Sequence, residues 1–280
     1  MPYTIIRKAG LRIARFRVET IPLTPISIAA EKSLLESTLQ HLRSLRVDFV
    51  MPGTNHALFR TYPSGAKAAP YGTVVNDLTR PEEELYDMIS QDYRKKIRRA
   101  IKAGVEIATG NEYLAESYEM IAATLRRSGM RFKNRGTFEK EIGLGLGSHV
   151  KVFVAKQKGL THACLVVPFS KFSGYTWYGG TAAEPQQGAM HLIHWEAMKS
   201  LKLMGVKQFN FSGLRIRPET GSKQDGIATF KTRFGGVLRQ GYMWKQGIHP
   251  LKFAAYSIAV RLLKGGDTVD IEHKKLMGTK

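Results

Sequence analysis

The spacing of apolar positions divides the chain into a helix-rich first part and a mixed remainder. Over the first twenty residues Ile5, Ile6, Leu11, Ile13, Phe16 and Val18 are interleaved with Arg7, Lys8, Arg12, Arg15 and Arg17. This reads either as an edge element with a solvated basic face or as a basic helix lying on a membrane surface. Leu35, Leu39, Leu42 and Leu45 give a helical stripe over about 29–46, and a strand follows at 47–51. Pro63, Gly65, Pro70 and Gly72 predict a loop with short strands over 54–76. Thr79-Arg-Pro-Glu82 has the form of a capping box. One helix with Leu85, Ile89, Tyr93, Ile97 and Ile101 on its buried line is predicted to run from it to Gly104. A strand at 105–109, a helix at 112–128 and a short helix capped by Thr137 come next.

The period then changes to two. Val150, Val152 and Val154 open a strand, with further strands at 163–169 and 175–180, and the short turns between them predict an antiparallel meander. The helix from Gly188 to Met204 is apolar nearly all round and is expected to be buried. The strand at 206–211 is expected to return parallel in the same sheet, and 237–245 reads as a last strand. His249-Pro250 opens a C-terminal helix whose line Leu251, Ala255, Ile258 and Leu262 predicts docking on the protein, with a bilayer as the alternative. From Gly265 onward the residues read as a loose polar tail. The pattern by itself gives a mixed α/β protein.

Composition adds a charge. With 280 residues the chain holds one large or two small domains, and a formal net charge of +20 with a pI near 10.0 points to polyanionic partners. tRNA, anionic lipid headgroups and pyrophosphate-linked sugar carriers all fit that description. Cys164 is the one cysteine, which excludes an internal disulfide and a thiolate metal cluster, and its apolar surroundings place it in the core. No apolar run is long enough to span a bilayer and no signal peptide is read, so the expected location is the cytoplasm, at most peripheral to the inner face of the membrane.

Candidate chemistry gathers in Gly226-Ile-Ala-Thr-Phe-Lys-Thr-Arg-Phe-Gly-Gly236. Ile227, Phe230 and Phe234 recur at helical spacing, Gly235-Gly236 stops the helix, and Lys231 and Arg233 are left as fixed cations beside it. Such cations suit a site where negative charge is held or develops. A second cluster, Arg94, Lys95, Lys96, Arg98, Arg99 and Lys102, repels itself, and either a phosphate backbone or a solvated face relieves it. His191 and His194 with Glu196 lack the usual spacing of a zinc site, and no metal is expected. There is no Walker A loop, and Gln186-Gln-Gly-Ala189 keeps one glycine of the pyrophosphate-binding turn that acetyl-CoA enzymes carry there.

The order of Tyr175-Thr-Trp-Tyr-Gly-Gly-Thr181, the helix from Gly188, the strand to Gly213 and Phe230-Lys-Thr-Arg-Phe-Gly-Gly236 resembles the Fem family of peptidyltransferases. Asp77-Leu78, the stretch Tyr93 to Val105 and Arg127-Ser-Gly-Met-Arg131 extend the resemblance over roughly 75–240. It implies the acetyltransferase-like (GNAT) fold, a mixed α/β sheet flanked by helices in two tandem halves. The halves would be an abbreviated 1–103 and a 104–280 carrying the F-K segment. It implies transfer of an amino acid from aminoacyl-tRNA to a phosphate-bearing cell-envelope (peptidoglycan) precursor, with no metal or redox cofactor.

Lys231 would then face the oxyanion of the tetrahedral intermediate, and Phe230 would position Lys231 and the aminoacyl ribose. Arg127 belongs to a segment the family carries, as a substrate contact. Arg233 and Arg239 are candidates for phosphate contacts. Tyr178 either lines the acceptor channel or is a core tyrosine. Arg94, Lys95, Arg98, Arg99 and Lys102 are candidates for the tRNA backbone. The long coiled-coil insertion of some family members is missing. Two other readings stay open: an acyl-CoA-dependent N-acyltransferase in polysaccharide or lipid biosynthesis, and a non-catalytic basic protein that binds nucleic acid or a membrane surface.

Overall fold

In the computed structural model, which describes residues 1–22 and 24–277, the interleaved basic and apolar residues at the start fold as a hairpin, β1 (Tyr3–Lys8) and β2 (Leu11–Phe16). Helix α1 (Ile28–Ser44) is capped by the Ser27 hydroxyl, which accepts from the Ala30 N–H. Then come β3 (Phe49–Val50), β4 (Lys67–Asp77), α2 (Glu82–Met88), α3 (Gln91–Lys102), β5 (Glu106–Thr109), α4 (Leu114–Arg127) and α5 (Arg135–Gly143). Strands β6 (Val150–Gln157), β7 (Leu160–Pro168), β8 (Ser173–Tyr175) and β9 (Tyr178–Thr181) precede α6 (Ala189–Leu203) and β10 (Gln208–Leu214). Last are α7 (Lys223–Thr232), β11 (Val237–Gly247), α8 (Pro250–Lys264) and α9 (Thr268–Leu276).

Two compact units are built from these elements. The first takes Met1–Thr73, Gly213–Ala228 and Leu238–Lys280, the second Val74–Ser212 and Thr229–Val237. Their bounds differ from those of the expected halves 1–103 and 104–280.

In the first unit the strands run in the order β1, β2, β3, β11 and the start of β4. Leu35, Leu39 and Leu42 of α1 pack on one face, against Ala14, Phe16, Val50, Phe59 and Trp244. The period of two turns Phe49 to the other face, where Phe253 and Tyr256 of α8 pack on it, tilted, at 5.7 and 4.4 Å between ring centroids. The aromatic pair, with the larger area to bury, thus takes the docked side. The line expected to dock is turned outward, with Leu251, Ile258 and Leu262 exposed by 78%, 60% and 80%. The loose tail expected from Gly265 is instead α9, opened by a capping box between Asp267 and Asp270. The buried Lys245 amine donates to both carboxylates at 2.8 and 2.7 Å, and Lys67 adds a bond to Asp270 at 2.6 Å.

In the second unit β5, β6, β7 and β9 form an antiparallel sheet. Val150, Val152, Val154, Cys164 and Val166 meet Ile121, Phe138 and Ile142 of α4 and α5 on one face. On the other face Lys151 reaches Ser200 of α6 at 3.0 Å. With both faces covered, the alternation read in β6 is not a buried-exposed one. The third strand of the meander is divided. The Thr176 N–H donates to the Asn210 carbonyl and the next, that of Trp177, to the Val166 carbonyl, both at 3.0 Å. Consecutive amides are drawn to two sheets, so β8 pairs parallel with β10 while β9 pairs with β7.

Three other expectations change. β4 is a single strand of 11 residues despite Pro70 and Gly72. The long helix to Gly104 is two helices, broken where Ile89 and Ser90 turn extended (ψ 133° and 145°) and the Ser90 N–H donates to the Arg233 carbonyl at 2.9 Å. Ile101 is therefore 55% exposed, while Tyr93, Ile97 and Ala100 point inward. Thr79 does not cap a helix; its hydroxyl and N–H both donate to Asp77.

Candidate active site

Lys231 stands in the last turn of α7 and donates to the Ser212 carbonyl at 3.1 Å. Burial lowers its ammonium from an ordinary 10.5 to about 8. Ser212, near the end of β10, holds a left-handed φ of 61°, rare for a residue with a side chain. Its hydroxyl donates to the Thr176 carbonyl at 2.6 Å, and its N–H donates to the Asn210 side chain at 2.8 Å. Lys231 is thus fixed on the strand segment that also holds the division between β8 and β9.

Phe230 is half-buried in a ring cluster. It lies 5.8 Å from Tyr93, 5.4 Å from His191, 5.2 Å from His194 and 5.2 Å from Phe234. Phe211 packs on Phe234 at 4.9 Å. The burial expected of the F-K helix is carried by Phe234, which follows α7, since none of the residues of α7 itself is fully buried. Gly235 ends the segment with φ 78°, and a Cβ there would lie 2.3 Å from the Met88 carbonyl oxygen. One at Gly236 would lie 2.6 Å from Asn76 Oδ1, and the Asn76 amide donates to the Phe234 carbonyl at 2.9 Å. The two glycines are needed for close approach as well as for the stop.

The histidines of α6 belong to this cluster. His194 Nδ1 is 2.7 Å from the Met190 carbonyl oxygen, and neither ring nitrogen of the partly buried His191 has a hydrogen-bond partner. Burial lowers both to about 4, so both rings are neutral at pH 7. Among the described residues no three His, Cys, Asp or Glu side chains gather as a metal site. Cys164 is buried, which pushes its thiol up to about 12.

Of the other residues singled out from the sequence, Arg233 borders this cluster and the rest lie away from it. Arg233 donates to Asp92 at 2.8 Å and its guanidinium is 5.9 Å from the Tyr93 ring centroid. The Ser90 hydroxyl first, and then Arg233, hold the Asp92 carboxyl below its ordinary range despite some burial. The Tyr178 hydroxyl accepts from Lys133 at 2.8 Å and donates to Glu141 at 3.2 Å, with its ring among Phe132 and Phe138. Arg127 donates to the Thr181 carbonyl at 2.5 Å, which ties α4 to the end of β9. Arg239 is an exposed position of β11 in the first unit. Asp225 accepts from the Gly221 N–H at 2.9 Å and serves the start of α7.

On α3, Arg94 pairs with Asp87 at 2.5 Å and Arg99 bonds Gln187, while Lys95, Arg98 and Lys102 point to solvent. Sequence reasoning missed Ser212, Asn210, Thr176 and Asn76, whose roles depend on strand register. Asn210 lies inside the strand read at 206–211, and Ser212 lies one residue beyond its expected end.

The start of α6 was weighed as a pyrophosphate site. Gly188 has φ 89°, and a Cβ there would lie 2.1 Å from the Lys96 carbonyl oxygen. A side chain at that position would meet the backbone of α3, so glycine is required there for close approach of the two helices. Separately, the first unit has a cleft of about 760 Å³ lined by Arg60, Arg217, Tyr242, Glu272 and Lys275 among others, and none of the residues picked from the sequence lines it.

Comparison with solved structures gives the fold. The chain is similar to FemX, with a TM-score of 0.68 at 12% identity over 90% of this chain and 85% of that one. It is similar to the C-terminal domain of an Agrobacterium fabrum protein assigned as a lysylphosphatidylglycerol synthetase (TM-score 0.58, 12% identity, 92% and 85% covered). L-PGS from Bacillus licheniformis gives a TM-score of 0.56 at 12% identity, with 93% and 85% covered. No curated protein matches the sequence. The model of the acetyltransferase (GNAT) domain family matches residues 89–231, just over half of the chain, and takes in β8 to β10, Tyr93, His191, His194, Phe230 and Lys231. The chain therefore belongs to the acetyltransferase (GNAT) domain family and is an acyltransferase.

Proposed function

We propose that this acyltransferase is an aminoacyltransferase, which moves the amino acid of an aminoacyl-tRNA to an amine on a phosphate-bearing cell-envelope precursor. The acceptor nitrogen attacks the ester carbonyl, the C–N bond forms, and the ester C–O bond breaks to release the ribose hydroxyl, which gains the proton the amine loses. Negative charge collects on the carbonyl oxygen between these events. Lys231 supplies the compensating cation, and its mounting on the Ser212 carbonyl is the observation that carries this reading. Phe230 and the rings around it support the helix from which the amine projects.

Two further features favour tRNA as donor. The exposed Lys95, Arg98 and Lys102 of α3 offer cations to a phosphate backbone, and Gln186-Gln-Gly-Ala189 keeps only one glycine of the pyrophosphate-binding turn. Names among the similar folds, FemX and a lysylphosphatidylglycerol synthetase, suit an aminoacyl donor and an envelope acceptor.

The test is equilibrium binding of charged and uncharged tRNA over a salt series, with CoA and acetyl-CoA run alongside. Tighter binding of the charged form with a steep salt slope is expected. Saturable CoA binding with tRNA binding that ignores the charged state would replace this reading with the acyl-CoA enzyme.

A further inference from the structure

Helix α8 is apolar on two sides. Phe253 and Tyr256 meet Phe49 of the underlying sheet. The opposite side presents Leu251, Ile258 and Leu262, all exposed. At 3.6 residues per turn the first three fall on one line, and Lys252 and Arg261 fall on either side of it. The helix sequence PLKFAAYSIAVRLLK contains no carboxylate. A surface helix of a water-soluble fold is ordinarily polar on this side, and a contiguous exposed apolar stripe marks a docking face.

The surroundings say what docks there. Asp48 accepts from the Arg12 N–H at 2.7 Å and from the Lys252 amine at 2.8 Å, which brings the β1–β2 hairpin to the start of α8. Lys8, the last residue of β1, is exposed and shares its sheet face with Ile13 and Phe49, the face that α8 covers. Among the described residues Lys8 and Arg261 form no ion pair. An apolar stripe flanked by unpaired cations, on a chain of net charge +20, is complementary to a surface with an apolar interior and anionic headgroups. A protein groove would need its own carboxylates to meet the same rim.

We propose that α8 lies in the interface of an anionic lipid membrane, with Leu251, Ile258 and Leu262 inserted among the acyl chains and Arg261 and Lys8 at the headgroups. Among the described residues no helix is long and apolar enough to cross a membrane, so the contact is an in-plane one. It is independent of which acyl donor the enzyme uses.

The test is sedimentation with vesicles of phosphatidylcholine alone and of phosphatidylcholine mixed with phosphatidylglycerol, on the full chain. The expected result is binding to the mixed vesicles that weakens with salt. The triple variant Leu251→Gln, Ile258→Gln, Leu262→Gln is expected to bind them at least tenfold less, with an unchanged circular dichroism spectrum and melting curve, since none of the three is buried. Arg261→Gln with Lys8→Gln is expected to weaken binding without touching the apolar stripe. Absence of wild-type binding, or binding the triple variant retains, would overturn the proposal. So would light scattering that shows a dimer lost in the triple variant, because a second copy would then cover the stripe.

Discussion

Two tasks conflict at Lys231, since burial disfavours the charge that the proposed chemistry needs. With its ammonium lowered from 10.5 to about 8, transfer is expected to fall as pH rises through about 8. The pH profile of kcat/KM with a fixed acceptor measures this. Lys231→Met is expected to reduce transfer by roughly 10²–10³, the range for removing one oxyanion partner. Stability moves the other way. Between pH 8 and 10.5 the unfolded chain holds the Lys231 proton and the folded chain has lost it, so wild-type stability rises with pH across that window. The rise is worth roughly 3 kcal/mol in full, and urea midpoints should show it in the wild type and not in Lys231→Met. A variant that lost activity and also lost stability at pH 7 would contradict this account of the residue.

At the scale of elements, the F-K helix offers a matched pair of glycines. Gly226 has no atom within 4 Å of a built Cβ, whereas Gly235 combines positive φ with a 2.3 Å approach to the Met88 carbonyl. Gly226→Ala should therefore stabilise by roughly 0.5–1 kcal/mol, and Gly235→Ala should destabilise by about 2–4 kcal/mol, read from chemical denaturation. Helix α6 adds a pH response. Below 6.5 the unfolded chain protonates His191 and His194 while the folded chain, at about 4 for each, does not. Stability should thus decline as pH falls from 6.5 to 4, and His191→Phe, which removes two unpartnered nitrogens, should flatten that limb.

The elements differ in how far they could be read from the sequence. Helix α6 was legible because a helix apolar all round has one environment open to it. The F-K segment was legible because its residue types are unusual together. The break between α2 and α3 was not, since Leu85, Ile89 and Tyr93 keep helical spacing through it and the interruption comes from a bond between Ser90 and Arg233. The apolar line of α8 was visible, but the sequence could not say that Phe253 and Tyr256 would take the protein side. Helix α9 was hidden because Asp267-Thr-Val-Asp270 is polar and its anchor, Lys245, lies in a strand.

For the whole molecule, the net charge of +20 is the property a polyanion meets first. Lys95, Arg98 and Lys102, the outward cations of α3, should each contribute to the salt dependence of the proposed tRNA binding. Replacing all three with Gln should lessen the slope of log K against log salt by about 0.9 for each phosphate no longer neutralised, as titrations from low to moderate salt would record. An unchanged slope would place the tRNA interface elsewhere on the surface.

The ion cluster at Lys245 also sets where the chain can be shortened. Strand β11 carries a buried ammonium whose two carboxylate partners, Asp267 and Asp270, come from the cap of the last helix. A clone that stops after Lys264 looks harmless on hydropathy, yet it strands that charge in the interior at a loss of about 3–5 kcal/mol. Protease nicking in Gly265-Gly266 followed by release of α9 should have the same result, and a purification tag is better joined after Met277 than fused to a trimmed chain.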